Sequence, residues 1–160
     1  KPFLSNRSKK YKMISIQRSC LALLLCASAV SSALAQNDFA QVAAKEPGAK
    51  VTASGLVFRS LQDGQGASPV ATDKVKVHYR GTFPDGKEFD SSYKRGQPID
   101  FPLNGVIPCW TEGVQRMKVG GKAKLTCPPG IAYGARGAGG VIPPNATLQF
   151  EVELIAIAGR

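Results

Sequence analysis

The sequence predicts an α+β fold, in which about five antiparallel strands form a curved sheet wrapped around one short α-helix. Several runs alternate apolar and polar residues, which is the period of a half-buried strand, and glycine-containing turns separate these runs. Only one stretch, starting near Trp110, has the spacing of an amphipathic helix. The chain has 160 residues, 43% hydrophobic and 20% charged, so we expect one globular domain plus a tail and exclude a disordered chain or a multidomain enzyme.

The tail, residues 1–35, has the layout of a cleavable signal peptide, and Met13 is its expected start. Six basic residues lie within the first 18 positions, and no acidic residue occurs before Asp38. A short apolar stretch from Cys20 to Val30 follows the basic region. Ala33-Leu34-Ala35 then provides the small residues of a cleavage site.

Removal of this leader changes what the charge implies. The whole chain has a formal net charge of +10, which would favour a nucleic-acid or membrane-surface partner. Without the leader, 15 basic and 11 acidic residues remain, and they form no basic stripe. We therefore expect a periplasmic or secreted protein that keeps no stable membrane anchor and binds no nucleic acid. The alternatives for the leader are an anchor, a buried helix or lipidation at Cys26, although an anchor needs about 20 apolar residues.

The segment 36–54 is expected to be a flexible or weakly helical lead-in, because it holds few large apolar residues. The sheet begins at Leu56. The next strand covers residues 75–80, where two valines and a tyrosine alternate with polar residues. Pro84-Asp85-Gly86 predicts a turn, since proline presets the first corner and glycine tolerates positive φ at a later one.

One helix precedes the second half of the sheet. Trp110, Val114 and Met117 have the i, i+4, i+7 spacing of a helical face, and Gly120-Gly121 marks its end. The strand that follows, residues 122–127, places alanine, leucine and cysteine on its inward face.

The last strand, residues 147–158, has the strongest strand pattern in the sequence. Its even-numbered residues from Leu148 to Ala156 are apolar and are expected to face inward. Ile155 and Ile157 make both faces apolar near its end.

Two cysteines leave with the leader, so the exported chain keeps Cys109 and Cys127 in a compartment that permits disulfides. Cys109 directly precedes the helix, and Cys127 ends a strand whose inward face should carry that helix. We therefore predict a disulfide between them, and two separate buried thiols are the alternative. Two cysteines and the single histidine, His78, do not supply a four-ligand zinc site, so no metal or cofactor is expected.

Five local strings point to a known family. They are Val77–Gly81, Asp85–Ser92, Val106–Gly113, Ala132–Gly134 and Ile142–Leu154. In order and spacing they resemble the FK506-binding-protein family of peptidyl-prolyl isomerases. The resemblance assigns residues 55–160 to the isomerase domain and implies the family's roll of a sheet around a helix. The leader and lead-in are similar to those of secreted bacterial members.

The resemblance also implies a pocket for proline, with Tyr79, Asp90, Ile107 and Tyr133 as its catalytic residues. Asp90 would be the pocket carboxylate, while the Tyr133 hydroxyl and the Ile107 N–H would donate hydrogen bonds to ligand carbonyls. Trp110 would form the floor. The side chains implied to contact substrate are Phe89, Ile99, Val106, Trp110, Val141, Ile142 and Phe150.

This chain departs from the family's pattern in three places. Ile99 stands where many members have an aromatic residue, and Ala138 stands where some have a histidine. The segment from Leu103 to Trp110 is shorter than in the small members. These departures bear on ligand affinity and sequence preference rather than on the reaction.

The function implied by the resemblance is a peptidyl-prolyl cis-trans isomerase that accelerates X–Pro rotation in exported proteins. It would act through an apolar pocket and hydrogen bonds, without covalent chemistry, a metal or a cofactor. Its expected partners are proline-containing polypeptides and FK506-like macrolides, and it is expected to be a monomer. The alternative is a chaperone module that binds proline segments with little turnover.

Overall fold

The computed structural model describes residues 39–159, so the leader and its cleavage site lie outside the described residues. This part of the chain contains seven strands, an α-helical segment at residues 39–44 and one α-helix between the strands. The strands are β1 (Ala49–Val51), β2 (Val57–Gln62), β3 (Lys74–Thr82), β4 (Glu88–Ser91), β5 (Ile99–Pro102), β6 (Lys122–Cys127) and β7 (Leu148–Ile157). Helix α1 (Pro108–Gln115) lies between β5 and β6, and short 3-10 turns cover Leu103–Gly105, Pro129–Ile131 and Gly134–Arg136.

All seven strands belong to one antiparallel sheet, which confirms the α+β prediction. The strand order is β1-β2-β6-β7-β3-β4, and β5 pairs with the start of β3. The two long central strands, β3 and β7, pair along most of their lengths. The sequence pattern predicted fewer strands because β1, β4 and β5 have only three or four residues each.

The alternation in β7 holds as far as Leu154 and then shifts. Val77 pairs with Leu154, whereas Lys76 pairs with Ala156, so Ile155 is an extra residue at a bulge. The bulge reverses the face of every later side chain. Ile157 is therefore buried and Ala156 is only half-buried, and the prediction that Ala156 faces inward was wrong.

Helix α1 packs closely against the sheet. Pro108 occupies its first turn, where a missing N–H costs nothing, and Ile107 precedes it in extended conformation. Cys109, Trp110, Gly113 and Val114 form its buried face. The helix ends at Gln115, short of the Gly120-Gly121 pair that the sequence predicts as its end, and Met117 is buried in the turn that follows.

The described part of the lead-in contains a helical segment and an edge strand. Residues 39–44 are helical, in line with the weak helical expectation, but Ala49–Val51 pairs with β2 as an edge strand. The Glu46 carboxylate accepts hydrogen bonds from Arg59 at 2.5 Å and from Lys124 at 2.9 Å. Ion pairs and strand pairing thus connect this part of the lead-in to the sheet.

A disulfide joins Cys109 to Cys127, with a Cα separation of 5.8 Å. This distance lies within the 4.4–6.8 Å range of disulfides in general. Both cysteines are fully buried. The bond ties the first turn of α1 to the end of β6.

Candidate functional site

An apolar pocket of about 280 Å³ opens where the start of α1 meets β3, β4 and β7. Most of its lining was implied by the family resemblance, while Phe101 and Gly105 were not. The lining residues are Tyr79, Phe89, Asp90, Phe101, Gly105, Val106, Ile107, Trp110, Tyr133 and Phe150.

Trp110 forms the floor of the pocket and is 4% exposed. Its ring makes edge-to-face contacts with Tyr79, Phe101 and Phe150, at centroid distances of 5.2, 5.6 and 5.4 Å. Such contacts place the positive edge of one ring against the negative face of another and fix the orientation of both. The floor is therefore rigid before any ligand binds.

Phe89 on β4 forms one wall. Its ring makes an edge-to-face contact with Phe150 at 5.6 Å and a tilted contact with Phe83 at 5.0 Å. A Cβ at Gly81 would lie 2.5 Å from the end of the Phe89 ring, so only glycine leaves room for it. The sequence analysis missed Gly81, although a glycine inside a strand is a signal for close approach of another group.

The polar side of the pocket consists of Tyr79, Asp90 and Arg95. The Tyr79 hydroxyl donates a hydrogen bond to one Asp90 oxygen, and Arg95 forms an ion pair with the other. Arg95 also donates to the Tyr79 hydroxyl at 2.8 Å. Sequence reasoning missed Arg95, because nothing in the strand pattern indicates that the turn after β4 folds its guanidinium back onto Asp90.

This cluster keeps the carboxylate charged and the phenol neutral. Burial alone would raise the pKa of Asp90, but the hydrogen bonds from Tyr79 and Arg95 outweigh it, and its pKa lies below the usual value. Burial and the hydrogen bond to Asp90 raise the pKa of Tyr79 to about 12. At neutral pH the cluster thus holds one negative carboxylate against one positive guanidinium.

Two hydrogen-bond donors at the pocket have no acceptor among the described residues. The Ile107 N–H precedes the first turn of α1 and makes no backbone hydrogen bond there. The Tyr133 hydroxyl likewise has none, and the side chain is 39% exposed at the rim. Burial, followed by the negative charge of Asp90, raises the pKa of Tyr133, so its hydroxyl stays protonated as a donor at neutral pH.

Three residues expected to contact substrate do not line the pocket. Ile99 is half-buried on β5, opposite Val77, and packs against the core. Ile142 is buried below the loop after Gly137 and lines a separate groove with Pro143. Val141 is 56% exposed on the same loop.

The described residues contain no group of three or more histidine, cysteine, aspartate or glutamate side chains placed to hold a metal. Within the same part of the chain, no helix is long and apolar enough to cross a membrane.

A model of the FKBP-type peptidyl-prolyl cis-trans isomerase family matches residues 66–155. The chain is 51% identical over 120 residues to the Escherichia coli protein named FKBP-type peptidyl-prolyl cis-trans isomerase FkpA, covering 75% of this chain and 44% of that one. It is 59% identical over 114 residues to the FkpA of Aeromonas hydrophila, covering 71% of this chain and 42% of that one. The chain thus spans about half the length of the curated relatives it matches.

Solved structures show the same fold. A crystal structure of FkpA from Escherichia coli superposes with a TM-score of 0.76 at 41% identity, covering 92% of this chain and 74% of that one. A crystal structure of a peptidyl-prolyl cis-trans isomerase from Pseudomonas syringae superposes with a TM-score of 0.74 at 43% identity, covering 79% of this chain and 94% of that one.

Proposed function

The chain belongs to the FKBP-type peptidyl-prolyl cis-trans isomerase family, and on that premise we propose that it accelerates rotation about X–Pro bonds in polypeptides. The observation that carries the proposal is the aromatic pocket, whose rim holds two donors without acceptors among the described residues. A ligand with two carbonyl groups beside a proline ring matches this arrangement.

The reaction needs no covalent step. Rotation about a peptide bond costs about 18–20 kcal/mol, because resonance is lost in the twisted state. For X–Pro bonds the cis and trans forms differ by about 1 kcal/mol or less, so lowering the barrier is all that a catalyst has to do. A planar amide is more polar than a twisted one. An apolar pocket therefore favours the twisted state relative to the planar one.

We assign roles from these contacts. Trp110, Phe89, Phe150 and Val106 would hold the proline ring, since their side chains line the pocket. The Ile107 N–H and the Tyr133 hydroxyl would donate to the carbonyls on either side of the proline. Each bond that strengthens in the twisted state would lower the barrier by about 1–3 kcal/mol in a dry site.

Tyr79 and Asp90 would act from the polar side of the pocket. The Asp90 carboxylate, held ionised by Tyr79 and Arg95, provides a fixed negative potential beside the reacting amide. The carboxylate would act on the carbonyl carbon, which becomes more electron-poor when the twisted nitrogen no longer donates its lone pair into the carbonyl group.

Isomerisation of a chromogenic X–Pro test peptide by the purified protein tests the proposal. We expect turnover that FK506 inhibits competitively, because both ligands would occupy the same aromatic pocket. Acceleration of a proline-limited refolding reaction is the second readout. If the protein instead binds proline peptides and suppresses aggregation without accelerating either reaction, it is a chaperone module and the proposed activity is wrong.

We further propose that the protein is exported and acts as a monomer. The signal-peptide pattern of residues 1–35 and the disulfide between Cys109 and Cys127 support an oxidising compartment. Fractionation of the host cell should find the cleaved chain, starting at Gln36, outside the cytoplasm. Light scattering on that chain should give the monomer mass.

A further inference from the structure

A second groove lies at the far end of α1 from the aromatic pocket. Its walls are the end of β2, residues 63–65, the turn after α1 and the start of β6, and its volume is about 350 Å³. It shares no lining residue with the aromatic pocket. Nothing in the proposed isomerase mechanism uses it.

The groove is lined by four basic side chains, Lys50, Arg116, Lys118 and Lys122, and by a single acidic one, Asp63. Arg116 pairs with Glu112 at 3.1 Å, and Lys122 lies 4.0 Å from Glu151. Lys50 and Lys118 are exposed and form no ion pair with any described residue. These two ammonium groups therefore retain their full attraction for an incoming anion.

The backbone fixes the shape of the groove. A Cβ at Gly64 would lie 2.3 Å from the carbonyl oxygen of Lys118, so the loop after β2 packs directly on the turn after α1. Gln62 donates from its side-chain amide to the Gly120 carbonyl at 3.1 Å, and the Gly66 N–H donates to the Val119 carbonyl at 3.0 Å. The backbone that carries Lys118 is thus held in place before a ligand arrives.

We propose that this groove binds an acidic segment of the same polypeptide whose proline occupies the aromatic pocket. The inference rests on the proposed isomerase function. The groove is several times larger than a single phosphate, and half-buried Phe58 and buried Met117 line it beside the lysines. Glutamate and aspartate side chains offer both a carboxylate for the ammonium groups and methylene groups for this apolar surface.

The distance between the two sites sets the spacing in the client. Helix α1 has eight residues and is about 12 Å long, with the pocket at its start and the groove beyond its end. An extended chain covers about 3.3–3.6 Å per residue, so about four residues span the length of the helix, and an acidic segment roughly six to ten residues from the proline has slack to enter the groove. Binding in the groove then raises the local concentration of the X–Pro bond at the pocket.

Three test peptides isolate this effect. Each carries the same X–Pro tetrapeptide and the same flexible eight-residue linker, followed by four glutamates, four glutamines or four lysines. For the glutamate peptide we expect a KM lower by about threefold to fivefold than for the glutamine peptide at low salt, because two exposed ion pairs contribute a few tenths of a kcal/mol each. The difference should disappear in 0.5 M NaCl, since the Debye length is then only a few Å. The lysine peptide should show the highest KM.

The variant Lys50→Glu/Lys118→Glu should remove the preference for the glutamate peptide and leave kcat/KM for the glutamine peptide unchanged. The matched control is Lys76→Glu/Lys87→Glu, which reverses two exposed lysines outside the groove and should keep the preference. The variant Lys50→Gln/Lys118→Gln removes both positive charges without adding negative ones. It should halve or abolish the preference for the glutamate peptide.

Equal KM values for the glutamate and glutamine peptides would overturn the groove proposal while leaving the isomerase intact. A preference that both double charge reversals reduce equally would overturn it too, because it would then come from net charge. The groove proposal would also be overturned if the protein showed no preference among the peptides but bound a single-stranded oligonucleotide tightly, and if the Lys50→Glu/Lys118→Glu variant lost that binding. Failure to turn over any of the three peptides would instead contradict the isomerase function itself.

Discussion

Tyr133 and Trp110 both line the aromatic pocket, but they contribute in different physical ways. We expect Tyr133→Phe to lower kcat/KM modestly, because it removes one hydroxyl donor and keeps the exposed ring. We expect Trp110→Ala to lose most of the activity and to reduce the free energy of unfolding by about 3–5 kcal/mol, since it leaves a cavity under three aromatic rings. Peptide kinetics and urea denaturation measure the two effects separately. Equal and negligible effects of both substitutions would show that the pocket is not the active site.

Arg95 is the residue through which the charge of Asp90 can be tuned. Its guanidinium pairs with Asp90 and is one of the groups that lower the pKa of that carboxyl against the effect of burial. We therefore expect Arg95→Gln to raise the pKa of Asp90, measured by NMR titration of its side-chain carbon. The variant Arg80→Gln, which removes one of the two cationic partners of Glu88 instead, is the control. An unchanged Asp90 pKa in Arg95→Gln would contradict the ion pair.

At the scale of elements, the disulfide and the packing of α1 hold the pocket floor in position. Cys109 and Cys127 are 18 residues apart, and a bridge that closes a loop of this size contributes on the order of 3 kcal/mol through the unfolded state. We expect Cys109→Ala/Cys127→Ala to lower the Tm while isomerisation at moderate temperature stays near its original rate, because neither cysteine lines the pocket. Calorimetry and the peptide assay are the measurements. Two free thiols in the mass spectrum of the exported protein would contradict the bridge.

Gly113 allows α1 to approach the sheet closely. A Cβ at this position would lie 2.8 Å from both methyl carbons of Leu125, which is fully buried, so the leucine side chain would have to shift within the core. Alanine favours a helix over glycine by about 1 kcal/mol, but overpacking a core costs about 1–3 kcal/mol. We therefore expect Gly113→Ala to destabilise the fold despite its better helix propensity. The control is Gly130→Ala, where a Cβ meets nothing within 4 Å, and an effect there as large as at Gly113 would rule out this explanation.

At the scale of the whole molecule, several carboxylates make stability depend on acid pH. The hydrogen bond from Lys124 lowers the pKa of Glu46, and the hydrogen bond from Lys94 lowers the pKa of Glu88. Because these two carboxyl groups have lower pKa values in the folded chain, the unfolded chain binds more protons than the folded one as the pH falls past the usual glutamate pKa of 4.5. Their contribution is complete above that value and is lost as the pH falls through the lower folded-state pKa.

We therefore expect the Tm to stay nearly constant from about pH 7 to pH 5 and to fall steeply below about pH 4. Thermal unfolding followed by circular dichroism across this range is the measurement. Glu46→Gln should lower the Tm at neutral pH and should converge with the original protein in acid. Asp85→Asn, in the exposed turn after β3, should change the Tm little at any pH. A Tm that rises on acidification would contradict the sign of these shifts.

The accuracy of the sequence prediction varied with the length and regularity of each element. The central strands were predictable because their alternation extends over many residues, as in Val75, Val77 and Tyr79, and burial then selects one face. The edge strand β1 was not predictable, since three residues carry no periodic signal. Its position is fixed by pairing with β2 and by the ion pairs of Glu46. Ala156 was misplaced because a bulge is a property of the paired strands rather than of one strand.

By itself, the sequence determined the α+β class and the helix that carries Trp110, and its resemblance to the family implied most of the residues that line the pocket. These features follow from local periodicity, residue chemistry and linked motifs, all of which are properties of the sequence itself. Only the tertiary structure decided that Arg95 closes the cluster around Asp90, that Gly81 makes room for Phe89, and that Lys50 and Lys118 share a groove. Each of these depends on atoms that come from distant positions or different turns, and their distance is fixed only when the sheet curves around α1.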